Sequence, residues 1–253
     1  MNLDLKNKRV LVTGSTRGIG LEIAKCFLEA GCYVGINSRD KSYIKDLLKT
    51  FNNDKLLECA GDVTNPKEAD NIVKSFVDSL NGIDILVCNV GSGKSRNLGE
   101  EDFDEWNRML ALNLLSSTNM IERCKEKLSE SKGSVVCISS ICGCEVVPGA
   151  PIAYSASKAA LNSFVKSSSR PFGKLGIRIN AVAPGNIMFP GSVWEGKIKD
   201  DENAVNKMLE KEVALEKLGS PLEIANLVLF LSSSLSSNIT GQIYVNDGGQ
   251  IRG

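Results

Sequence analysis

The sequence predicts one α/β domain over residues 1–253, built as a doubly wound parallel sheet of about seven strands with helices on both faces. Short apolar runs rich in Val and Ile alternate with helical patterns along the whole chain. Apolar strands of this kind are typical of a sheet that is buried on both faces. No linker rich in Pro, Gly or Ser and no internal repeat divides the chain into smaller domains.

Each predicted strand except the last is followed by a helical pattern. The strands are RVLVTG, CYVGIN, KLLECAG, IDILVCNVG, GSVVCISS, IRINAVAPG and GQIYVNDGG. The helices are predicted over 18–30, 41–51, from Pro66 onwards, and over about 102–128, 155–172 and 221–232. Thr64 and Asn65 before Pro66, and the capping box that runs from Ser220 to Glu223, are N-terminal helix signals. The segment 186–216 breaks the alternation, and its Gly, Pro, Trp and mixed charges predict a long irregular loop that serves as a substrate lid.

The composition argues against several classes of protein. The 30 basic and 30 acidic side chains give zero net charge, so nothing indicates binding to nucleic acid or to an anionic membrane surface. No apolar run approaches the ~18 residues of a membrane span, and the N-terminus leads into a strand without a signal-peptide core. The 42% hydrophobic residues suffice for a buried core. We therefore expect a soluble, cytoplasmic protein.

The chain contains no histidine, which excludes Ser-His-Asp and Cys-His catalysis and the zinc sites that need histidine. Any proton transfer must use Tyr, Lys, Asp, Glu or Cys. The eight cysteines form no C-x-x-C pair, and several lie in apolar runs, where a thiol packs as a small hydrophobic group. We expect neither a disulfide framework nor a metal site, including at Cys142 and Cys144.

Three short motifs carry side chains that could take part in chemistry. TGSTRGIG places glycines at 14, 18 and 20 between the first strand and the first helix, where a helix N-terminus can accept a pyrophosphate. YSASK places Tyr154 and Lys158 on one helix face, and an ammonium near a phenol lowers the pKa of the phenol. ISSICG places Ser139 and Ser140 at the carboxyl end of the fifth strand, where α/β sheets bind ligands. Each motif alone is also consistent with a structural role, as a plain turn, a pair of surface neighbours or a turn cap.

Together these motifs resemble the short-chain dehydrogenase/reductase family, single-domain branch, over essentially the full length of the chain. GDV, CNVG, ALNLLSS, APG and VNDGG are similar to further motifs of that family and occur in the same order. The resemblance implies a Rossmann-type fold. It also implies hydride transfer between a nicotinamide dinucleotide and a carbonyl or secondary alcohol carbon.

The resemblance assigns a role to each matching residue. Tyr154 exchanges a proton with the substrate oxygen, and Ser140 hydrogen-bonds that oxygen. Lys158 lowers the pKa of Tyr154 and holds the nicotinamide ribose, while Asn113 supports a chain of water from Lys158 to solvent. The implied dinucleotide site comprises Gly14, Ser15, Thr16, Arg17, Gly18, Ile19, Gly20, Ser38, Arg39, Asp62, Val63, Asn89, Gly91, Tyr154, Lys158, Pro184, Gly185 and Ile187.

The sequence departs from the family pattern beside the substrate. Ser140 is favoured over Ser139 because the family serine stands three residues before a glycine, here Gly143. The connection from this serine to the catalytic tyrosine is one residue longer than in the commonest members, which should reshape the substrate pocket. The threonine that follows Pro-Gly in the family is replaced by Phe189, so only backbone groups near Ile187 could contact the carboxamide.

INSRD ends the second strand, where the adenosine ribose lies in this family. Asn37 or Ser38 takes the position at which NAD-selective members usually carry an aspartate. Arg39 follows, where a guanidinium can bind a 2′-phosphate, and Arg17 can approach the same phosphate from the glycine turn. Asp40 is placed to cap the next helix. We therefore predict a preference for NADP(H), with NAD(H) as the alternative.

The expected substrate is a small carbonyl compound or alcohol, but two alternatives remain. A 3-oxoacyl-carrier-protein reductase would need a basic docking patch for its acidic carrier, for which Arg17, Arg170, Lys174 and Lys197 are candidates. A non-catalytic dinucleotide-binding protein could use the same fold, although the complete Asn-Ser-Tyr-Lys set argues against it. Family members usually pair their long helices in tetramers or dimers, so we expect a homo-oligomer.

Overall fold

Within residues 3–252, the part of the chain that the computed structural model describes, seven parallel strands form a single sheet. They are β1 (Arg9–Val12), β2 (Tyr33–Ser38), β3 (Leu56–Ala60), β4 (Ile85–Cys88), β5 (Ser134–Ile138), β6 (Arg178–Pro184) and β7 (Ile243–Asn246). Their order is β3-β2-β1-β4-β5-β6-β7, which confirms the predicted fold class. The order reverses between β1 and β4, so a ligand-binding crevice is expected beyond the carboxyl ends of these two strands.

Helices cover both faces of the sheet. They are α1 (Gly18–Glu29), α2 (Lys41–Phe51), α3 (Pro66–Leu80), α4 (Phe103–Leu110), α5 (Ser116–Ser131), α6 (Ile152–Lys174), α7 (Val193–Glu212) and α8 (Pro221–Ser232). The predicted caps are confirmed: the Asp40 carboxylate accepts from the Ser42 N–H at 2.8 Å, and Ser220 and Glu223 form a capping box. None of the helices in this part of the chain combines the length and apolar character that crossing a membrane requires.

Two apolar clusters hold the sheet between the helices, because successive strand residues point to opposite faces. Val10 and Val12 lie in the cluster under α1 and α8, whereas Leu11 lies in the cluster under α3, α5 and α6. Phe27 and Phe76 are buried, one in each cluster, and burying an apolar side chain of this kind contributes about 1.5–3 kcal/mol. The carboxyl edge of the sheet is therefore a rigid platform for the loops that follow it.

The predicted helix over 102–128 is interrupted. Between α4 and α5 the backbone forms a π-helical turn at Ala111–Leu115. Such turns replace the regular i to i−4 hydrogen bonds locally and occur often at functional sites. Here the turn carries the buried Asn113 side chain.

The expectation of an irregular loop over 186–216 is wrong for most of that segment, because α7 occupies Val193–Glu212. The helix begins after the Phe189-Pro190-Gly191 turn, and Ser192 caps it by accepting from the Glu195 N–H. Within α7 the backbone leaves the helical region at Asp201, whose side chain caps the second half by accepting from the Ala204 N–H. Two short helical pieces with their own caps therefore replace the loop, and its role as a lid stays a prediction.

Candidate active site

The glycine turn joins β1 to α1 in the conformation that the glycines were predicted to permit. Gly14 and Gly18 have φ of 60° and 55°, in the left-handed region that favours glycine. A Cβ on Gly20 would lie 2.4 Å from the Gly14 carbonyl oxygen, so the helix can start this close to the turn only with glycine there. The Asn89 amide braces the turn by donating to the carbonyl oxygens of Thr13 (3.0 Å) and Gly14 (2.9 Å).

Asn37 is a further support of this turn that the sequence did not reveal. Its side chain is buried, with Oδ1 accepting from the Gly14 N–H at 3.1 Å and Nδ2 donating to the Cys59 and Gly61 carbonyls. The only sequence signal is an amide within an apolar strand. Because the Asn37 side chain is hydrogen-bonded to other parts of the protein, Ser38 is the residue at the end of β2 that remains beside the crevice.

Arg39 and Asp62 face each other beyond the ends of β2 and β3. Arg39 Nη1 lies 3.9 Å from Asp62 Oδ2, and the arginine side chain is 78% exposed. An ion pair of this length and exposure contributes little, so the guanidinium is available to a ligand. Asp62 Oδ1 also accepts from the backbone N–H of Thr64 at 2.9 Å and from its hydroxyl at 2.7 Å.

The other residues predicted to bind a dinucleotide lie along the same edge. Arg17 is exposed at the start of α1, with Thr16 and Ile19 partly buried beside it. Ser15 is buried, and its hydroxyl donates to the Val12 carbonyl at 2.8 Å. Val63, Gly91, Pro184, Gly185 and Ile187 follow the ends of other strands or end one, and Ile187 pairs with Gly219 in an isolated bridge.

The two candidate serines at the end of β5 have different partners. The Ser139 hydroxyl is buried and donates to Asn162 Oδ1 at 2.6 Å. The Ser140 hydroxyl accepts from the Cys142 N–H at 3.2 Å and is hydrogen-bonded to the Tyr154 side chain. Ser140 is therefore the serine that the structure brings to the tyrosine.

Tyr154 and Lys158 lie in the first two turns of α6. The Lys158 ammonium nitrogen is 5.9 Å from the centre of the Tyr154 ring and donates to the Ile138 carbonyl oxygen at 2.8 Å. The lysine is only 3% exposed and no carboxylate acts on it, so its charge is poorly compensated. Burial accordingly lowers the pKa of Lys158 to about 8.

The pKa of Tyr154 differs from the expectation that the lysine lowers it. Burial raises the pKa of Tyr154 to about 12, and the hydrogen bond with Ser140 lowers it only in part. Lys158 is not among the causes of the shift, and its ammonium donates to the Ile138 carbonyl. At neutral pH the tyrosine therefore holds its proton.

Asn113 joins this group from the π-helical turn. Its Oδ1 accepts from the Ser92 N–H at 2.9 Å, and its Nδ2 donates to the Met109 carbonyl at 3.1 Å. A Cβ on Gly91 would lie 2.8 Å from Asn113 Oδ1 and 3.0 Å from Lys158 Nζ. A side chain at Gly91, three residues after β4, would therefore crowd both of these polar groups.

Two more residues act on the site without having been predicted to. Glu101 Oε1 accepts from the Ile152 N–H at 3.0 Å and so caps α6, whose own N-cap residue, Pro151, has no polar side chain. Desolvation acts to raise the pKa of Glu101, but the backbone hydrogen bonds outweigh it and lower this pKa. Phe189 places its ring against Gly18 of the glycine turn.

The chain is similar to known proteins over almost its whole length. Residues 14–250 match the family described as enoyl-(acyl carrier protein) reductase. The chain is 36% identical to a 3-oxoacyl-(acyl-carrier-protein) reductase of Chlamydia muridarum, over 98% of this chain and 99% of that protein. It is 31% identical to a glucose 1-dehydrogenase of Gluconobacter oxydans, over 96% of this chain and 91% of that protein.

A solved structure shows the same fold. The L-sorbose reductase of Gluconobacter frateurii, complexed with NADPH and L-sorbose, superposes with a TM-score of 0.91 at 27% identity. The similarity covers 100% of both chains. The whole domain, including the segment that carries α7, therefore has a counterpart of known structure.

Proposed function

The chain belongs to the short-chain dehydrogenase/reductase family, and from this premise we propose that it is an NADP(H)-dependent oxidoreductase acting on a carbonyl or secondary alcohol. The observation that carries the proposal is the cluster of Ser140, Tyr154 and Lys158, with Asn113 beside it, at the carboxyl edge of the sheet. In a chain without histidine, this cluster provides the hydroxyl and ammonium groups that proton transfer needs.

The residues at the carboxyl edge fit a dinucleotide phosphate. The left-handed Gly14 and Gly18 bring the backbone close to the start of α1, where N–H groups without intrahelical partners favour an anion. At the end of β2 the neutral Ser38 and the exposed Arg39 suit a 2′-phosphate better than a free ribose hydroxyl. When bound, the cofactor would supply or accept the hydride.

Tyr154 is the proposed proton donor to the substrate oxygen. A pKa of about 12 keeps its hydroxyl protonated at neutral pH, which suits reduction of a carbonyl. Ser140, already hydrogen-bonded to Tyr154, orients the same oxygen. Lys158, with a pKa of about 8, can return a proton toward the tyrosine. Asn113, hydrogen-bonded to the Ser92 backbone, is the proposed support for water that connects the lysine to solvent.

Replacing Tyr154 with phenylalanine tests the proposal, because it removes the proton and keeps the ring. We expect turnover in a screen of ketones and alcohols to fall by about 100- to 10,000-fold, while dinucleotide binding persists. Tyr43→Phe, at an exposed position on α2, is the matched control. Full turnover by the Tyr154→Phe protein with any identified substrate would overturn the proposal.

Replacing Arg39 with alanine tests the cofactor preference. A charge-assisted contact to a phosphate is worth about 1.5–3 kcal/mol, so the ratio of kcat/KM for NADPH to that for NADH should fall by about 10- to 100-fold. Lys41→Ala removes a neighbouring exposed cation, whose nitrogen lies 3.6 Å from Glu58, and should leave the ratio unchanged. An unchanged ratio in the Arg39→Ala protein would contradict the preference for NADP(H).

A second candidate substrate, a 3-oxoacyl group on an acyl carrier protein, is favoured by the similarity to the Chlamydia reductase. The basic side chains of Arg170, Lys174 and Lys197 are exposed, and Lys197 lies over the Trp194 ring at 4.3 Å. If the carrier docks here, kcat/KM should be higher for the carrier-bound thioester than for the same acyl group on a small thiol. Arg170→Ala should lower kcat/KM for the carrier-bound thioester and leave kcat/KM for the small-thiol thioester unchanged. Equal values for both thioesters would reject this candidate.

We also propose a homo-oligomer that pairs the long helical segments at about 102–128, which hold α4 and much of α5, and at 155–172, within α6. Phe103, Leu115 and Ile152 are large apolar side chains that remain exposed in this region. Light scattering after size exclusion should give a multiple of the 27.2 kDa chain mass, and Phe103→Ser should lower it. A wild-type protein that elutes as a monomer would refute this assembly.

A further inference from the structure

Phe189 covers the part of the glycine turn that a pyrophosphate approaches. A Cβ on Gly18 would lie 2.6 Å from Phe189 Cε2 and 2.9 Å from its Cζ. The ring thus occupies the space that the missing side chain of Gly18 leaves free. Gly18 is the first residue of α1, where unpaired N–H groups favour an anion, so the ring lies beside the place at which a phosphate would bind.

The backbone ties this ring to the beginning of α7. The Ser192 N–H donates to the Phe189 carbonyl at 2.9 Å, and the Phe189 N–H donates to Ser192 Oγ at 3.3 Å. The same Oγ caps α7 through the Glu195 N–H at 3.1 Å. A movement of the first turn of α7 therefore moves Phe189, and the reverse also holds.

α7 is suited to such a movement. Of the helices and strands within residues 3–252, only α7 lacks extensive contact with another element. It packs instead on a small cluster of its own around Val205, Leu209 and Val213, separate from the two clusters of the sheet. The first half adds only the partly buried Trp194 and Ile198 to this cluster. Because the non-helical Asp201 divides the helix, the first half can move relative to the second when these two side chains leave the cluster.

We propose that Phe189 is a gate on the dinucleotide site: the ring must leave Gly18, together with the first half of α7, before the pyrophosphate can reach the turn. This inference rests on the proposed dinucleotide binding. The fraction of molecules in which the ring is displaced then sets the apparent affinity, because only those molecules bind. Cofactor binding would thereby be coupled to the position of the segment that was predicted to act as a substrate lid.

Association of NADPH, followed by its own fluorescence in a stopped-flow instrument, tests the gate without any substrate. In the wild-type protein the observed rate should saturate at high NADPH concentration, at the rate with which the ring leaves. In Phe189→Ala it should rise linearly, with association about tenfold faster and Kd about tenfold lower, as for an open fraction near one tenth. Val193→Ala, at an exposed position in the first turn of α7, should behave as the wild type does.

The outcomes separate the gate from the proposed function. Equal rates and affinities in the wild-type and Phe189→Ala proteins would overturn the gate and leave dinucleotide binding intact. Weaker binding by the variant would also overturn it, since the ring would then be a contact for the cofactor. If neither protein binds NADPH or NADH, the proposed function fails and the gate with it. Should Phe189→Ala not fold, Phe189→Leu must show the same acceleration to a smaller degree.

Discussion

Replacing Lys158 with methionine should stabilise the folded protein at neutral pH, although it removes a member of the proposed catalytic set. Lys158 is 3% exposed, and its ammonium has a backbone carbonyl as its hydrogen-bond partner. A buried cation without a counter-charge destabilises the folded state, and an apolar side chain of similar length avoids that cost. Stability and activity are thus expected to change in opposite directions at this position.

The size of the effect follows from the pKa. Burial lowers the pKa of Lys158 from 10.5 to about 8, which at about 1.36 kcal/mol per pH unit corresponds to about 3 kcal/mol against the charged form. The variant loses the hydrogen bond from the ammonium to the Ile138 carbonyl, a loss of about 1 kcal/mol. The free energy of unfolding of Lys158→Met should therefore exceed that of the wild type by about 2 kcal/mol at pH 7.

This difference should depend on pH with a definite sign. Because the folded pKa lies below the unfolded one, the wild-type penalty is complete below about pH 8 and disappears as the pH rises toward 10.5. Near pH 10 the remaining penalty is about equal to the hydrogen bond that only the wild type keeps. The advantage of Lys158→Met should thus shrink to about zero there.

Urea unfolding at pH 7 and pH 10, at one fixed protein concentration, measures this difference. Lys166→Met, at an exposed position on the same helix, controls for general effects of removing a lysine. The reasoning is refuted if Lys158→Met is less stable than the wild type at pH 7. It is equally refuted if its advantage stays constant between the two pH values.

Three further predictions concern other parts of the molecule. Burial raises the pKa of Cys32 and Cys59 to about 12. Because these thiols ionise more readily in the unfolded chain, the folded protein should lose stability as the pH rises above 9. A Tm that stays constant between pH 8 and pH 11 would contradict this. Glu101→Ala removes the cap of α6. It should speed amide hydrogen exchange in the first turn of α6 and lower kcat about tenfold, whereas Glu100→Ala should do neither. Equal effects of the two substitutions would exclude the cap as the reason. Gly35→Ala should lower the free energy of unfolding in urea by about 1–3 kcal/mol, since its Cβ would lie 2.7 Å from a phenylalanine ring carbon in the core. An unchanged urea midpoint would show that the core side chains can move to accommodate the methyl group.

The elements that the sequence predicted correctly are those whose signals are local. A strand is recognised from its own apolar residues, and Asp40 caps α2 through a residue two positions away. Side chains that act across the chain gave no comparable signal. Asn37, in β2, accepts a hydrogen bond from the Gly14 N–H, and the ring of Phe189 packs against Gly18, although Phe189 is far from Gly18 in the sequence. The helix α7 was missed because Gly and Pro precede it and a break divides it.

The predicted site residues met at one edge of the sheet because parallel strands all end there, but their electrostatics depended on burial. The motif alone predicted a tyrosine acidified by its lysine. In the fold, Lys158 is buried and Tyr154 is partly buried, so desolvation raises the pKa of Tyr154 and lowers that of Lys158. Spacing in a sequence indicates which groups are neighbours, whereas the pKa of each depends on the solvent and charges around it.

The distribution of the eight free cysteines allows opening of the candidate active site and unfolding to be followed by thiol labelling. Six are buried in the core, while Cys142 and Cys144 remain accessible in the turn directly after Ser140. A thiol reagent should therefore react in two kinetic phases. The fast phase, from Cys142 and Cys144, reports how accessible the turn after Ser140 is. The slow phase, from the six buried cysteines, reports unfolding. The native protein thus carries attachment points for a fluorescent label beside its candidate catalytic residues, and no cysteine needs to be introduced.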